Sequence, residues 1–336
     1  MSKGPKRMAF GSAIQHIYKR TVDKGVLFYR LEDRLVYYTI TAVKARRHRV
    51  VMLAMSLMYT HIHRAVRSVD ALQLAMFERD VDSTFAKERN REAGRTGPVF
   101  DSPYGRSSKR NEKEIRTCLI YIFNNPKEKR LCRRAEEDRW NFLAYYDRKY
   151  PFSRRPVLSR ERQCLRNALK EVEHESAAGR YLRYSLIHKL LAPLSPDERE
   201  VLTDHIIQVY FPFDRETCVS MFDSLEDMLH APDVVTGSEF DVGEEYESHS
   251  DVPYRAMCSI AENYGLLKPG MPLLSLPPER LQKLKQYLMS RTMAPEWQVA
   301  RFLHLKGEER ERGNGGRARF DNQQDTQCPP PKNRGR

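Results

Sequence analysis

The sequence predicts an α+β fold, in which an antiparallel sheet carries helices and a mostly helical C-terminal part follows. Strand and helix patterns alternate as β-α-β-β-α-β-α within about the first 130 residues. The second and third strands follow each other with no helix between them, so they can pair only as antiparallel neighbours. This order excludes a doubly wound parallel sheet.

The first strand and its exit are predicted in IQHIYKRTVDKGVLFY, residues 14–29, which is rich in β-branched and aromatic residues. A helix follows over residues 31–49, LEDRLVYYTITAVKARRHR. Val36, Ile40 and Val43 recur there at helical spacing, and basic residues crowd the C-terminal end, where the helix dipole favours cations.

Two strands are predicted next, over VVMLAMSLM at 50–58 and HIHRAVR at 61–67. They could form a hairpin, although Tyr59-Thr60 is not a strong turn sequence. A helix over residues 69–90 then shows a regular apolar face, and Ser68 or Asp70 can cap it.

A glycine-containing loop with a short strand spans residues 91–110, and a second strong helix spans residues 111–130, NEKEIRTCLIYIFNNPKEKR. Asn125-Pro126 is predicted to end this helix, because a proline disfavours the helical conformation of the residue before it.

Composition then divides the chain into three parts: an α+β domain over 1–150, a helical accessory domain over 151–306 and a disordered tail over 307–336. A basic, proline-containing linker at 147–160 separates the first two, and the helical part contains an acidic loop at 234–253. The helices near 281–306 could form a helix-turn-helix, although an ordinary helix pair explains them at least as well.

The charge is unevenly distributed along the 336 residues, which carry a formal net charge of +13. Residues 1–150 hold 32 Lys and Arg against 17 Asp and Glu, a net charge of +15, whereas residues 201–250 hold 1 against 12, a net charge of −11. A single charged run is more often a solvated face. A basic half of this size favours a polyanionic partner such as nucleic acid.

The six cysteines are not paired at metal-binding spacing and do not resemble a disulfide framework, which favours a reducing compartment and argues against a zinc finger. The longest apolar run is too short to span a bilayer. We therefore expect a cytoplasmic protein that does not bind membranes.

The first candidate site is the His61-Ile62-His63 sequence. Residues i and i+2 of a strand point to the same face, so both imidazoles should project together while Ile62 and Arg64 point to the other face. Two imidazoles supply half of a divalent metal site. The alternative is two ordinary histidines on a solvated face.

The second candidate is a polar stripe on the helix over 111–130, formed by Glu114, Thr117, Tyr121 and Asn125. A tyrosine hydroxyl can attack a phosphodiester, and an amide oxygen one turn away could complete a metal site. The alternative is that Tyr121 is a packing tyrosine, one of 17 in the chain.

Taken together, these motifs resemble the single-tyrosine HUH transposases, in particular the REP-associated tyrosine transposases. The resemblance runs from about Gln15 to Tyr146. It consists of THIHRAV, a helix, the loop NREAGRTGPVFDSPYGRSSK, the helix end YIFNNP and the closing DRWNFLAYY.

The resemblance implies an HUH-type sheet of ferredoxin-like or RRM-like topology. It also implies an enzyme that cleaves and rejoins single-stranded DNA at hairpin or REP-type sequences. Tyr121 would be the nucleophile that forms a 5′-phosphotyrosine, and His61, His63 and Asn125 would hold Mg²⁺ or Mn²⁺. The resemblance also implies a bacterial protein that is associated with the nucleoid. It does not decide whether the protein forms a homodimer. The residues that would contact DNA phosphates are Arg95, Arg106, Lys109 and Arg110.

The sequence also departs from the pattern of these transposases. Tyr59-Thr60 replaces the usual Pro-Asn, Gly97-Pro98-Val99-Phe100 replaces Gly-His-Leu-Phe, and Arg64 stands where an apolar residue is usual. These departures keep open a domesticated, catalytically weak DNA-binding protein. A third alternative, an RNA-binding regulator, depends on charge alone and predicts no metal dependence.

Overall fold

The computed structural model describes residues 13–101, 104–234 and 249–305. Its sheet has four antiparallel strands in the order β2-β3-β1-β4. The predicted α+β class and the antiparallel pairing of the two consecutive strands are confirmed. The strands are β1 (Ile14–Arg20), β2 (Val51–Leu57), β3 (His61–Arg67) and β4 (Gly105–Lys109).

Three helices accompany the sheet: α1 (Leu31–His48), α2 (Ala71–Ala93) and α3 (Glu112–Glu128). The order β-α-β-β-α-β, with β1 and β3 central, is the ferredoxin-like arrangement. Side chains of β3 contact α1 and α2 on one face of the sheet and α3 on the other. The Asp70 side chain accepts a hydrogen bond from the Gln73 backbone N–H and caps α2, as predicted.

The predicted end of α3 is wrong, because the helix continues through Pro126 to Glu128. A proline inside a helix removes one backbone hydrogen bond. Here the surrounding turns stay closed: the Lys129 backbone N–H donates to the carbonyl of Asn125 at 3.1 Å, and that of Leu131 to Pro126 at 2.8 Å. The Asn125 side-chain amide also donates to the carbonyl of Tyr121 at 3.1 Å, which adds a bond across the turn before the proline.

The rest of the described chain is mostly helical, as predicted. None of the described helices is long and apolar enough to cross a membrane. The helices are α4 (Gln163–Ala177), α5 (Tyr184–Leu191), α6 (Pro196–Tyr210), α7 (Arg215–Val219), α8 (Leu225–Val234), α9 (Val252–Asn263), α10 (Pro278–Thr292) and α11 (Glu296–Leu303).

The predicted domain boundaries stay predictions. The helices after residue 150 pack on the elements before it, and the Tyr38 hydroxyl of α1 donates to the carbonyl of Ile207 in α6 at 2.7 Å. The helix-turn-helix also stays a prediction. Most of the acidic loop, residues 235–248, and the predicted disordered tail at 307–336 lie outside the described residues.

A buried ionic cluster connects α5 to the start of α1. Asp33 is fully buried, accepts a hydrogen bond from the Tyr184 hydroxyl at 3.0 Å and pairs with Arg89 at 3.1 Å. Burial opposes ionisation of Asp33, but Arg89 and Arg30 outweigh it and lower the pKa of this carboxyl. At the edge of the cluster, His188 of α5 lies 3.0 Å from Glu92 and 3.7 Å from Glu32.

We expect His188 to make stability depend on pH. Hydrogen bonds to Glu32 and Glu92 raise the pKa of His188 from 6.5 to about 9. Because the folded protein holds this proton more tightly, the stabilisation is complete below about pH 6.5 and is lost as the pH rises through about 9. The lost free energy is at most about 3 kcal/mol. Urea unfolding between pH 6 and 9.5 should show this loss in wild type.

The matched variants are His188→Gln and His174→Gln, since His174 is an exposed histidine of α4. His188→Gln should be destabilised at pH 6 and match wild type near pH 9.5, while His174→Gln should follow wild type throughout. An identical pH profile in wild type and His188→Gln would contradict the assignment.

Candidate functional site

The two histidines of β3 lie on the face of the sheet that α3 covers. His63 pairs with Tyr18 of β1, and the ring centroids of His61 and His63 are 5.1 Å apart. The alternation of the strand directs Ile62 and Arg64 to the opposite face. The structure therefore places both imidazoles on one side, as the His-x-His spacing predicts.

Tyr121 reaches the histidines from α3. Its ring meets the edge of the His63 ring at a centroid distance of 5.3 Å and that of His16 at 5.7 Å. Two motifs nearly 60 residues apart in the sequence thus meet in the fold.

Two further residues of this site, His16 and Tyr18 of β1, were not predicted from the sequence. The Nε2 atom of His16 lies 3.0 Å from the Nδ1 atom of His63, and the Tyr18 ring stacks on His63 at 4.9 Å. Their signal in the sequence is weak. His16, Tyr18 and Arg20 alternate along β1, but only the pairing of β1 with β3 shows that this face meets the histidine pair.

The hydrogen bonds at the rings favour metal coordination through Nε2. His63 uses Nδ1 toward His16, and His61 has its Nδ1 3.1 Å from the Thr60 hydroxyl oxygen. Histidines that bind metals usually engage one ring nitrogen in such a bond, which fixes the tautomer and orients the other nitrogen. The two imidazoles therefore fit a divalent metal.

Asn125 lies one turn after Tyr121 and is buried. Its amide nitrogen bonds to its own helix, so its oxygen is the atom that could coordinate a metal. Among the described residues, His61 and His63 do not belong to a group of three His, Cys, Asp or Glu residues whose ligand atoms all lie within 4.8 Å of one another. The donor set of two imidazoles and the Asn125 amide oxygen stays a prediction. The described residues that do form such a group are Glu171, His174 and Glu175 on α4.

The site is closed in this conformation. Tyr121 is 5% exposed, His61 is 7% exposed, and His16 and His63 are completely buried. Little of the tyrosine is therefore accessible to a phosphodiester.

The four basic residues predicted to contact DNA do not share one surface. Lys109 pairs with Ile14 of β1 and lies on the sheet face that carries His61 and His63, here called the histidine face. Arg106 pairs with Ile17 and lies on the opposite face, which α2 covers. Arg110 is exposed immediately after β4, and Arg95 is exposed after α2. Their role in DNA binding stays a prediction.

Arg64, which follows the histidine pair, is part of the core. It is completely buried and forms an ion pair with Glu78 of α2, which is 1% exposed. Its guanidinium also lies over the rings of Phe77 at 5.6 Å and Tyr37 at 5.9 Å. Arg64 therefore joins β3 to the helices on the side of the sheet opposite the candidate site.

Comparison with known proteins leaves the family open. No protein-family model matches the chain, and no curated protein matches it. A solved structure of a REP-associated tyrosine transposase bound to a REP hairpin is similar with a TM-score of 0.35 and 14% identity, over 42% of this chain and 81% of the transposase chain. Because this TM-score is low, the function of the chain is inferred from the geometry of the site alone.

Proposed function

We propose that the chain is a metal-dependent single-strand DNA endonuclease and strand transferase of the HUH type. The observation that carries this proposal is the contact of Tyr121 with His63, at a ring-centroid distance of 5.3 Å, beside a second histidine on the same strand face. A nucleophile and a pair of metal ligands are the parts that such a reaction needs.

In the proposed reaction, the Tyr121 oxygen forms a bond to the phosphorus of a phosphodiester while the bond from phosphorus to the 3′-oxygen breaks. The DNA stays attached as a 5′-phosphotyrosine. The tyrosine loses one proton, and the released 3′-oxygen gains one. Attack by another 3′-hydroxyl on the phosphotyrosine reverses these changes and rejoins the DNA, because the covalent link conserves the phosphodiester bond energy.

His61, His63 and the Asn125 oxygen would hold Mg²⁺ or Mn²⁺. When bound, such an ion polarises the scissile phosphate and stabilises the departing oxygen. In the proposal, His16 Nε2 accepts the Nδ1 proton of His63 across their 3.0 Å contact, which leaves His63 Nε2 unprotonated for the metal. In the proposal, Lys109 and Arg110 contact phosphates near the histidine face, and Arg95 and Arg106 contact more distant ones.

Removal of the His16 side-chain acceptor should weaken metal binding. We expect His16→Leu to lower the affinity for Mn²⁺ by about 10–100-fold, because His63 loses the bond that fixes its tautomer. The measurement is the free Mn²⁺ signal in electron paramagnetic resonance, with thermal unfolding to verify that the variant is folded.

His16→Gln is the matched control, since its amide oxygen can still accept a proton from His63. It should recover most of the Mn²⁺ affinity. Equal Mn²⁺ affinity in wild type and a folded His16→Leu protein would exclude a positioning role for His16.

The proposed activity is tested by incubating the protein with labelled hairpin DNA that carries single-stranded flanks. With Mn²⁺, wild type should give an SDS-stable protein–DNA adduct and a free 3′-hydroxyl, and EDTA should prevent both. Absence of the adduct across a broad set of hairpin and unstructured substrates would overturn the proposed catalysis.

A second candidate function is DNA binding without cleavage. The burial of His63 and Tyr121 favours it, because a closed site excludes a phosphodiester. This alternative predicts a mobility shift of hairpin DNA that does not depend on Mn²⁺ and leaves no adduct.

A further inference from the structure

A narrow cleft lies beside the turn between β2 and β3, at the first turn of α1. Its volume is about 180 Å³, which is smaller than the roughly 300–1,000 Å³ of sites for drug-sized ligands. It corresponds to roughly six water molecules. The residues with polar or aromatic side chains in its wall are Arg34, Tyr59, Asp138, Arg139, Trp140 and Arg255.

Arg34 is the unusual residue of this cleft. It is 9% exposed, yet no acidic side chain of the described residues lies within 4.0 Å of its guanidinium, and its Nε atom has no hydrogen-bond partner there. Aromatic rings surround it instead. The guanidinium lies 4.9 Å from the Tyr59 ring, 5.5 Å from that of Trp140 and 5.6 Å from that of Phe28.

A buried cation without a counterion is unfavourable, and a position in the first turn of a helix makes it more so, because the helix dipole is positive at that end. Aromatic faces compensate for only part of the lost hydration. The planar guanidinium is therefore held rigidly between rings, with donors that suit an oxyanion.

The other charged residues of the cleft form no ion pair with Arg34 within 4.0 Å. Arg139 is engaged by Glu200 and Asp204 outside the cleft, and Arg255 donates to the carbonyl of Leu131 at 2.6 Å. Asp138 is the one acid in the cleft wall. It accepts a hydrogen bond from the Trp140 backbone N–H at 2.8 Å, and burial raises its pKa, although Arg34 and Arg255 oppose this.

We propose that this cleft binds a phosphate group, with Arg34 as the principal donor and Trp140 against the attached sugar or base. The volume, roughly that of six water molecules, admits one phosphate group of a longer chain and leaves the attached sugar and base outside the cleft. Tyr59, in the cleft wall, precedes Thr60, whose hydroxyl lies 3.1 Å from His61 Nδ1. We assign the phosphate to single-stranded DNA, and this choice of source rests on the proposed function.

The test uses the fluorescence of Trp140. The chain has 2 tryptophans, so Trp297→Phe leaves Trp140 as the single emitter. In this background, inorganic phosphate, 5′-dTMP, thymidine and a short oligothymidylate are titrated without metal. We expect saturable changes with the three phosphate-containing probes, strongest for the oligonucleotide, and none with thymidine.

Arg34→Met keeps the length of the aliphatic stem and should weaken phosphate binding by at least about tenfold, the loss expected when a charge-assisted donor is removed. Its thermal midpoint should not fall below that of the parent, because Arg34 has no ion pair to lose. Arg183→Met is the control, since Arg183 is exposed immediately before α5 and is not part of the cleft. It should bind phosphate as the parent does.

Equal losses in Arg34→Met and Arg183→Met would show only a general effect of charge and overturn the proposal. So would binding of thymidine as tight as that of 5′-dTMP, or no saturable change with any phosphate probe. Equal binding of inorganic phosphate and oligonucleotide would keep the phosphate site and remove the assignment to DNA. If phosphate binds but no covalent adduct forms in the cleavage assay, the proposed catalysis fails and the cleft remains.

Discussion

Tyr121→Phe is expected to abolish the covalent protein–DNA adduct, with a loss of at least roughly a thousandfold, because it removes the oxygen that forms the phosphotyrosine bond in the proposed reaction. The change should leave the fold intact. The phenyl ring can keep its edge contacts with His63 and His16, and the neighbouring side chain of Asn125 bonds to the Tyr121 backbone carbonyl, which is unchanged. The measurement is the yield of SDS-stable adduct with Mn²⁺, alongside the thermal midpoint.

Two other tyrosines make this test specific. Tyr37→Phe is the matched control: Tyr37 is completely buried on the opposite face of the sheet, and its hydroxyl has no hydrogen-bond partner among the described residues. It should leave the adduct unchanged. Tyr18 is the rival nucleophile, because its ring stacks directly on His63. Loss of the adduct in Tyr18→Phe, with Tyr121→Phe as active as wild type, would move the nucleophile to β1.

The central parts of the site follow from local patterns that the sequence displays. The period of two along β3 separates His61 and His63 from Arg64, and the helical period places Tyr121 and Asn125 one turn apart. The element order within the first 130 residues similarly requires a hairpin of β2 and β3. These features depend only on residues that are close in the chain.

The rest depends on pairing between distant segments. His16 becomes a partner of His63 only because β1 inserts between β3 and β4, an order that the sequence does not specify. The same holds for Arg34, whose aromatic surroundings come from the segment after β1, the turn between β2 and β3 and the segment after α3. The helix through Pro126 is a different case, since tertiary packing there overrides a local preference of the backbone.

Arg64→Met is expected to lower the free energy of unfolding by about 3–5 kcal/mol, because it leaves Glu78 buried without its counterion. Burial already raises the pKa of Glu78, and the positive charges of Arg64 and Lys19 oppose this effect. In the variant, the folded protein should therefore bind a proton at Glu78 more tightly than wild type does. An acid with a raised pKa in the folded state is most favourable below about pH 4.5 and costs stability as the pH rises. Urea unfolding should show a deficit that is larger at pH 8 than at pH 5.

The second substitution at this pair separates a charge effect from a packing effect. Arg64→Met combined with Glu78→Leu removes both charges. In wild type, three buried atoms of this pair have no hydrogen-bond partner among the described residues: Nε and Nη1 of Arg64 and Oε1 of Glu78. Because the native pair leaves these atoms unsatisfied, the double variant should recover most of the lost stability and its pH dependence should disappear. Arg180→Met, which breaks the exposed pair of Arg180 with Glu175, should cost less than about 1 kcal/mol. A double variant as unstable as Arg64→Met alone would show that the contact of the guanidinium with the rings of Phe77 and Tyr37 provides the stabilisation and that the ion pair does not.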